Sequence, residues 1–309
     1  MTSQWQCIQK NIGTWQGSFT QFSPDGEQLK DTPSVLTLAE TEPGKKMQLT
    51  LERSPLGGST ETTRREFTAP GPAPYVYFFE SGAFSQGSSQ WAAFGGFGAE
   101  MSIKLGDRRA RFVIMYEGTS DGTSPIKYVT LIRETRTGGS QFTELDLTPA
   151  QIMGSWRGTS SVLSASMEPM TAGHSNWTLN HSALNCQDAF EREVDKAAEE
   201  EIKALLLTHH YDHSVLSLSR PILLEGELTY QLMPLPNGTY CLMPHTLKKD
   251  VEFRIEAGWL SSQKGRSQNT ASAADRPQKA ALKRSRLIRY YNSRSVWTHS
   301  ALIEDHLEE

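Results

Sequence analysis

Cysteine is scarce in this chain. Only Cys7, Cys186 and Cys241 occur among 309 residues. They are odd in number and form no C-x-x-C pair, which argues against a disulfide framework and for a reducing compartment. Long apolar runs are missing as well. Nothing approaches the ~18 continuous apolar residues of a membrane-spanning helix, so no transmembrane segment is expected. Charge of one sign is not in excess: 31 Lys and Arg stand against 35 Asp and Glu, a net charge of −4. No global basic field therefore draws the chain onto nucleic acid. The start, Met1 to Trp5, lacks the basic and then apolar run of a secretion signal. Catalytic signatures are absent too. There is no Gly-x-Ser-x-Gly elbow, no P-loop and no dinucleotide-binding glycine motif. Gly95-Gly96-Phe97-Gly98 lies among strands with no helix after it. No catalytic residue is assigned, and a binding protein is expected rather than an enzyme.

What remains is a globular composition, 37% hydrophobic and 21% charged, in a chain long enough for about two domains of ~150 residues. The first half reads as strands. Apolar residues alternate or cluster over Ser34–Leu38, Lys46–Arg53, Tyr75–Glu80, Glu100–Leu105, Arg109–Tyr116 and Ile126–Arg133. Turn residues separate them, as in Ser23-Pro24-Asp25-Gly26 and Ser120-Asp121-Gly122. Short strands at hairpin spacing, with almost no helical periodicity between them, predict an all-β sandwich or barrel. A short helix over Gln4 to Ile12 is expected before the first strand.

The second half opens as the first does. Gly13-Thr14-Trp15-Gln16-Gly17 is matched by Gly154-Ser155-Trp156-Arg157-Gly158. Leu131-Ile132-Arg133 near the end of one half is matched by Leu287-Ile288-Arg289 near the end of the other. The expectation is one antiparallel barrel used twice, over residues 1–144 and 145–309. Two segments interrupt the second copy. Over 187–207, Phe190, Val194, Ala198, Ile202 and Leu205 recur at helical spacing with Glu191, Glu199 and Glu200 between them, which predicts a helical insertion. Residues 261–285 are Ser-, Gln- and Ala-rich and basic, which predicts a flexible loop.

In a small barrel closed at one end, a Trp on the first strand can plug the base, and a cation from a late strand can lie across its indole. Trp15 with Arg133, and Trp156 with Arg289, are the expected closures. These Gly-x-Trp openings with late-strand arginines resemble the calycin superfamily of lipocalins and fatty-acid-binding-like barrels. Longer stretches carry a closer resemblance: Ile12–Glu27, Asp31–Leu38, Phe78–Ser88, Phe97–Glu100, Gly106–Arg111, Ala257–Leu260 and Leu287–Tyr291. Together they are similar to a cyanobacterial and plastid family of two-domain calycin-like proteins without an established function. The resemblance implies the fold, a photosynthetic host and a location in cyanobacterial cytoplasm or plastid stroma. A more distant fold resemblance, to S-type phycobiliprotein lyases, implies that such a barrel can hold an open-chain tetrapyrrole.

Aromatic residues are dense from Phe78 to Glu100 and are interleaved with Gly and polar groups, as the lining of a ligand cavity would be. Phe79, Phe84, Trp91 and Phe97 are the candidates for ligand contact. Glu80, Gln86 and Arg111 are the candidate polar anchors, with Glu100, Arg108 and Arg109 nearby. The alternative is that the aromatics are barrel core and the arginines face water. His209, His210 and His213, with Asp212, match no common zinc spacing, and no metal site is assigned. The expected partner is a hydrophobic small molecule: a bilin or other tetrapyrrole, a carotenoid or a fatty acid. Two other readings stay open, a lyase attaching a bilin to an antenna protein and a structural module in assembly of a photosynthetic complex.

Overall fold

The structure, a computed structural model, describes residues 2–72, 76–140, 154–164, 169–179, 189–191, 214–217, 220–225, 228–262 and 282–307. Among them the chain is all-β apart from one short helix, α1 (Gln4–Gln9). Ser3 caps α1. Its hydroxyl accepts from the Gln6 amide, and the Gln6 side chain accepts from the Ser3 amide, a reciprocal pair that satisfies two otherwise orphaned donors. Trp5, Cys7 and Ile8 form its buried face. The helix ends short of Ile12, because Gly13 takes a φ of 132° as the chain swings into the first strand, a conformation that favours glycine.

The first sheet contains β1 (Gly13–Phe22), β2 (Gln28–Glu42), β3 (Lys46–Arg53), β4 (Glu61–Thr68), β5 (Val76–Phe78), β6 (Phe84–Gly87), β7 (Phe97–Leu105), β8 (Arg108–Tyr116) and β9 (Ser124–Arg136). Its order is β4-β3-β2-β1-β9-β8-β7-β6-β5, and every pairing is antiparallel. The second sheet contains β10 (Gly154–Ser164), β11 (Pro169–Leu179), β12 (Ala189–Glu191), β13 (Ser214–Ser217), β14 (Arg220–Glu225), β15 (Leu228–Leu235), β16 (Thr239–Pro244), β18 (Phe253–Ser262), β19 (Leu282–Tyr291) and β20 (Trp297–Leu307). Its order is β12-β11-β10-β20-β19-β18-β16-β15-β14-β13. In both sheets the opening strand pairs with the strand after it and with the last strand. The short β17 (Thr246–Leu247) leaves the second half and pairs with β9.

The first sheet curls into a barrel-like form around a cavity. Its two end strands, β4 and β5, both line that cavity and form no ladder with each other. Alternation does the sorting. On β9, Ile132 faces the cavity, whereas Val129 and Leu131 face a core shared with the second half. Strand β4 shows no apolar alternation because nearly every residue in it is exposed.

Two expectations change where residues are described. Ala189–Glu191, inside the expected helix, is a strand paired antiparallel with β11. Cross-strand pairing there overrides the local helical periodicity. The remainder of 187–207 lies outside the described residues. Within the expected loop over 261–285, Ser261 and Ser262 end β18 and Leu282–Ser285 begin β19, with Ser262 opposite Leu282. The basic residues suggested a solvated loop, but Arg284 is buried against an acid. Residues 263–281 and His209, His210, Asp212 and His213 also lie outside the described residues.

Candidate functional site

Strand β8 carries Arg109 and Arg111 two residues apart, so both side chains leave the same face. Glu134 on β9 lies opposite Arg109 in the ladder. Its Oε2 accepts from Arg109 Nε at 2.8 Å and lies 3.2 Å from Arg111 Nε. On the other side, Arg111 Nη1 is 3.2 Å from Glu100 Oε1 on β7, and Gln86 on β6 donates to the second oxygen of Glu100. Asn11, in the turn after α1, accepts from Arg109 Nη1 at 3.0 Å and donates to the Gly82 carbonyl at 2.9 Å. Burial pushes the Glu134 carboxyl up, but Arg109 and Arg111 beside it outweigh burial and leave its pKa below the usual value of 4.5. Burial draws the Arg109 pKa down from its ordinary value, with Glu134 opposing. A guanidinium nonetheless stays protonated in a protein.

Beneath this cluster lies Trp15, fully buried, its indole N–H donating to the Asn11 carbonyl at 2.8 Å. Two guanidinium groups lie against its ring, Arg109 at 4.4 Å and Arg136 at 4.6 Å from the centroid. Arg136 also donates to the Ile12 and Lys10 carbonyls, tying β9 to the end of α1. The expected cation, Arg133, instead reaches Asn237 in the second half at 2.6 Å. Strand parity is the reason. Trp15 faces Arg136 in the β1–β9 ladder, so the side chains of β9 on its face are the even-numbered ones, and Arg133 leaves the opposite side.

The cavity above the cluster encloses about 430 Å³, within the usual range for small-molecule sites. It is two-sided. Leu36 and Leu38 of β2, Leu49 and Leu51 of β3 and Phe67 of β4 make an apolar wall. Phe19 of β1, Phe78 of β5 and Phe84 of β6 add aromatic area. Gln86, Glu100, Arg109 and Arg111 make the polar wall, and Arg53 and Arg65 also line the space. Arg111 lies 5.5 Å from the Phe19 ring centroid. Within the cluster, Nη2 of Arg109 and Nη2 of Arg111 have no hydrogen-bond partner, and neither do Oε1 of Glu100 and Oε1 of Glu134. Leaving such a donor unsatisfied costs about 1–3 kcal/mol. A second depression, at Thr2, Gln6, Gln9 and Lys10, is an open polar hollow on the surface of α1 without walls to hold a ligand.

Of the expected ligand contacts, Phe84, Gln86 and Arg111 line the cavity. Phe79, Trp91 and Phe97 turn into the core shared between the halves. Trp91 donates to the Ser124 hydroxyl at 2.9 Å, and Phe97 packs on Tyr116, Phe253 and Tyr291. Glu80 is exposed in the β5–β6 turn, where it accepts from Thr2 at 2.7 Å. The leucines of β2 and β3 were missed as lining, although their alternation in Ser34–Leu38 and Lys46–Arg53 was legible.

The second half repeats the charged cluster. On β19, Arg284 and Arg286 stand two residues apart. Asp305 on β20 takes a two-point bond from Arg284 at 3.0 and 2.7 Å and lies 3.5 Å from Arg286. Glu256 on β18 is 3.7 Å from Arg286. Arg284 lies 4.1 Å from the ring centroid of Trp156. Thus Trp156, Arg284, Arg286, Asp305 and Glu256 occupy the places of Trp15, Arg109, Arg111, Glu134 and Glu100. Arg289, the expected partner of Trp156, lies instead over Trp297 at 4.8 Å and donates to Ser85 of the first half at 2.8 Å. The similar Leu-Ile-Arg triplets belong to non-equivalent strands, β9 and β19. The true equivalents are Arg109-Ala110-Arg111 and Arg284-Ser285-Arg286. One difference separates the two clusters. In the second, the Tyr240 ring covers the network and donates to Glu256 at 3.0 Å. It fits because Gly258 beneath it has no Cβ, an atom that would sit 2.0 Å from the ring. The ladder places Phe84 and Ser102 at the corresponding positions in the first half.

Among the described residues no group of three or more His, Cys, Asp or Glu could hold a metal ion, and no helix is long and apolar enough to cross a membrane. Cys7 and Cys241 are free and buried.

Residues 1–139 match the family model described as the N-terminal domain of unknown function DUF3598. A solved structure from the cyanobacterium Nostoc punctiforme, described as a protein with unknown function from the DUF3598 family, is similar over the whole length. It has 27% identity and a TM-score of 0.77, with 100% of each chain covered. No curated protein matches the chain.

Proposed function

We propose that this protein binds and carries a hydrophobic small molecule, and that the cavity of the first half, the domain expected over residues 1–144, is the site. The carrying observation is the two-sided cavity: a leucine wall from β2 and β3 and, across the same space, a buried Arg–Glu cluster. In the second half Tyr240 is seated on the equivalent cluster and donates to Glu256, whereas the first cluster borders a cavity. The calycin-like reading and the photosynthetic, cytoplasmic or stromal setting belong to the same proposal, supported by the barrel-like curl and the cyanobacterial neighbour.

The test is direct. Purified protein is incubated separately with a bilin, haem, a carotenoid and a long-chain carboxylic acid, then examined by native mass spectrometry and absorbance. A one-to-one complex with at least one of them is expected, and Leu51→Trp, which fills the cavity, abolishes it. Binding unaffected by Leu51→Trp would place the ligand elsewhere. No complex with any of the four would remove the carrier reading.

A further inference from the structure

We propose that β4 is a docking edge for a second copy of this chain. The two β4 strands pair antiparallel about a two-fold axis at Thr63, joining the two first sheets into one. The pairing goes beyond the carrier reading and does not depend on it.

Three observations carry it. The first is the length of the edge. Of the strands that end the two sheets, β5 has 3 residues, β12 3 and β13 4, and so short an edge offers little to a neighbour. β4 has 8 residues and no proline, and its register with β3 runs without a shift. Among the described residues no strand pairs with its outer side. The second is the direction of the backbone groups. The Ser54 amide, just after β3, donates to the Pro33 carbonyl, and the Ala69 amide, just after β4, donates to the Lys45 carbonyl. Hydrogen-bonded positions alternate along an antiparallel ladder. The odd-numbered residues of β4 therefore bond to β3, while Thr62, Arg64, Glu66 and Thr68 direct their amides and carbonyls outward. All four are exposed. The third is charge. With Thr63 on the axis, Glu61 lies opposite the partner's Arg65, Thr62 opposite the partner's Arg64, and no like charges meet. Glu61 already accepts from Arg53 at 2.9 Å, and a carboxylate has room for a second guanidinium. Centring the pair on Arg64, Arg65 or Glu66 sets that residue against its own copy, and like charges directly opposite destabilise. Centring it on Thr62 brings no opposite charges together. A charged edge discourages pairing with an arbitrary strand, and this one suits its own antiparallel copy in one register.

The experiment is sedimentation velocity of the full chain over rising concentration, with disulfide trapping to fix the axis. A few residues a side make a small contact, so a weak, concentration-dependent dimer is expected. Arg64→Pro removes an outward amide and keeps the bonds to β3, as proline on an edge strand can. It should leave the thermal midpoint nearly unchanged and abolish the dimer. Arg65→Glu sets like charges opposite each other at two symmetric places. It should raise the dimer dissociation constant roughly three- to thirtyfold, and adding Glu61→Arg to it should restore the affinity. On the axis, Thr63 and its copy form a non-hydrogen-bonded pair with Cα atoms about 4.5 Å apart, within reach of a disulfide. Under mild oxidation Thr63→Cys should give a covalent dimer beyond the level of the parent, which has cysteines of its own, while Thr68→Cys should not. Equal trapping by Thr63→Cys and Thr68→Cys would overturn the register. A monomer at every concentration, or a dimer untouched by Arg64→Pro and Arg65→Glu, would overturn the docking edge. Should Arg64→Pro fail to fold, Arg65→Glu and its reversal by Glu61→Arg still decide, because both positions are exposed.

Discussion

At the scale of single residues, burial of charge separates this fold from an ordinary leucine-filled barrel. Glu134 has a side chain with no exposure and two arginines on one of its oxygens. Such a cluster is retained only where each charge has its partner, because removing one leaves the other stranded, at about 3–5 kcal/mol. Glu134→Gln is therefore expected to destabilise by about that amount, read as a shift in the urea midpoint. The same carboxyl gives a sign for pH. Its folded pKa lies below the usual 4.5, so its contribution is complete above the unfolded value and fades as pH falls through the lower, folded one. Acid titration of stability should show a loss below about pH 4.5 that Glu134→Gln lacks, and equal acid sensitivity in both proteins would refute this. Gly17 makes a second demand. A Cβ there would lie 1.8 Å from the Arg133 carbonyl oxygen. Gly158 is held the same way, 2.1 Å from the Glu304 oxygen. Gly17→Ala should cost about 1–3 kcal/mol or more as the strands part, measured by chemical denaturation. The Gly-x-Trp-x-Gly openings were legible because they are local. That the second glycine makes room for the backbone of the last strand was not, since that contact joins residues more than a hundred positions apart.

At the scale of elements, alternation was read well within strands and poorly between them. The leucines of β2 and β3 and the Arg-x-Arg of β8 follow from period-two patterning. Which β9 residue meets Trp15 depends on register, and a slip of one residue reverses the face. Arg133 and Arg289 both follow Leu-Ile on a late strand of their half. The ladder shows that one triplet sits on the last strand of its half and the other on the strand before it. Strand β4 has no sequence signature, because Glu61–Thr68 is exposed on almost every residue and so gives no hydrophobic period. Helix α1 is held by long-range contacts rather than by its own length, since six residues are far too few for an isolated helix. Its far end depends on Arg136, which donates to two carbonyls there and lies on Trp15. Arg136→Ala is expected to cost about 1–3 kcal/mol. Its signature is local: amide hydrogen exchange should accelerate first in α1 while β15 and β16 keep their protection. Uniform acceleration across the chain would show that the helix is not a separate cooperative element.

At the scale of the whole molecule, the duplication and the shared core pull in different directions. Two copies of one charged cluster suggest two similar units, yet the halves are bound by contacts that neither can replace alone. Phe97 of β7 sits among Tyr116, Phe253 and Tyr291, with the last two stacked at 4.5 Å. Tyr116 donates to the Pro244 carbonyl at 2.8 Å, and Ser85 bonds both Ser300 and Arg289. β17 crosses to pair with β9. A seam made of aromatic area and buried hydrogen bonds resembles an interior more than a surface contact between domains, which is typically more polar. The aromatic segment from Phe78 to Glu100 therefore divides its work: Phe78 and Phe84 face the cavity, while Phe79, Trp91 and Phe97 build the seam. From the sequence alone the two roles look alike, because both call for dense aromatics. Phe97→Ala distinguishes them. It removes a buried ring from the seam at about 3–5 kcal/mol, and the loss should fall on both halves at once. Hydrogen exchange followed by mass spectrometry in rising urea should show β2 and β3 losing protection at the same midpoint as β15 and β16, in the parent and in Phe97→Ala, with the variant's midpoint lower. Two midpoints, with only one moved by the substitution, would show that the halves unfold independently and that the seam is an interface rather than a core.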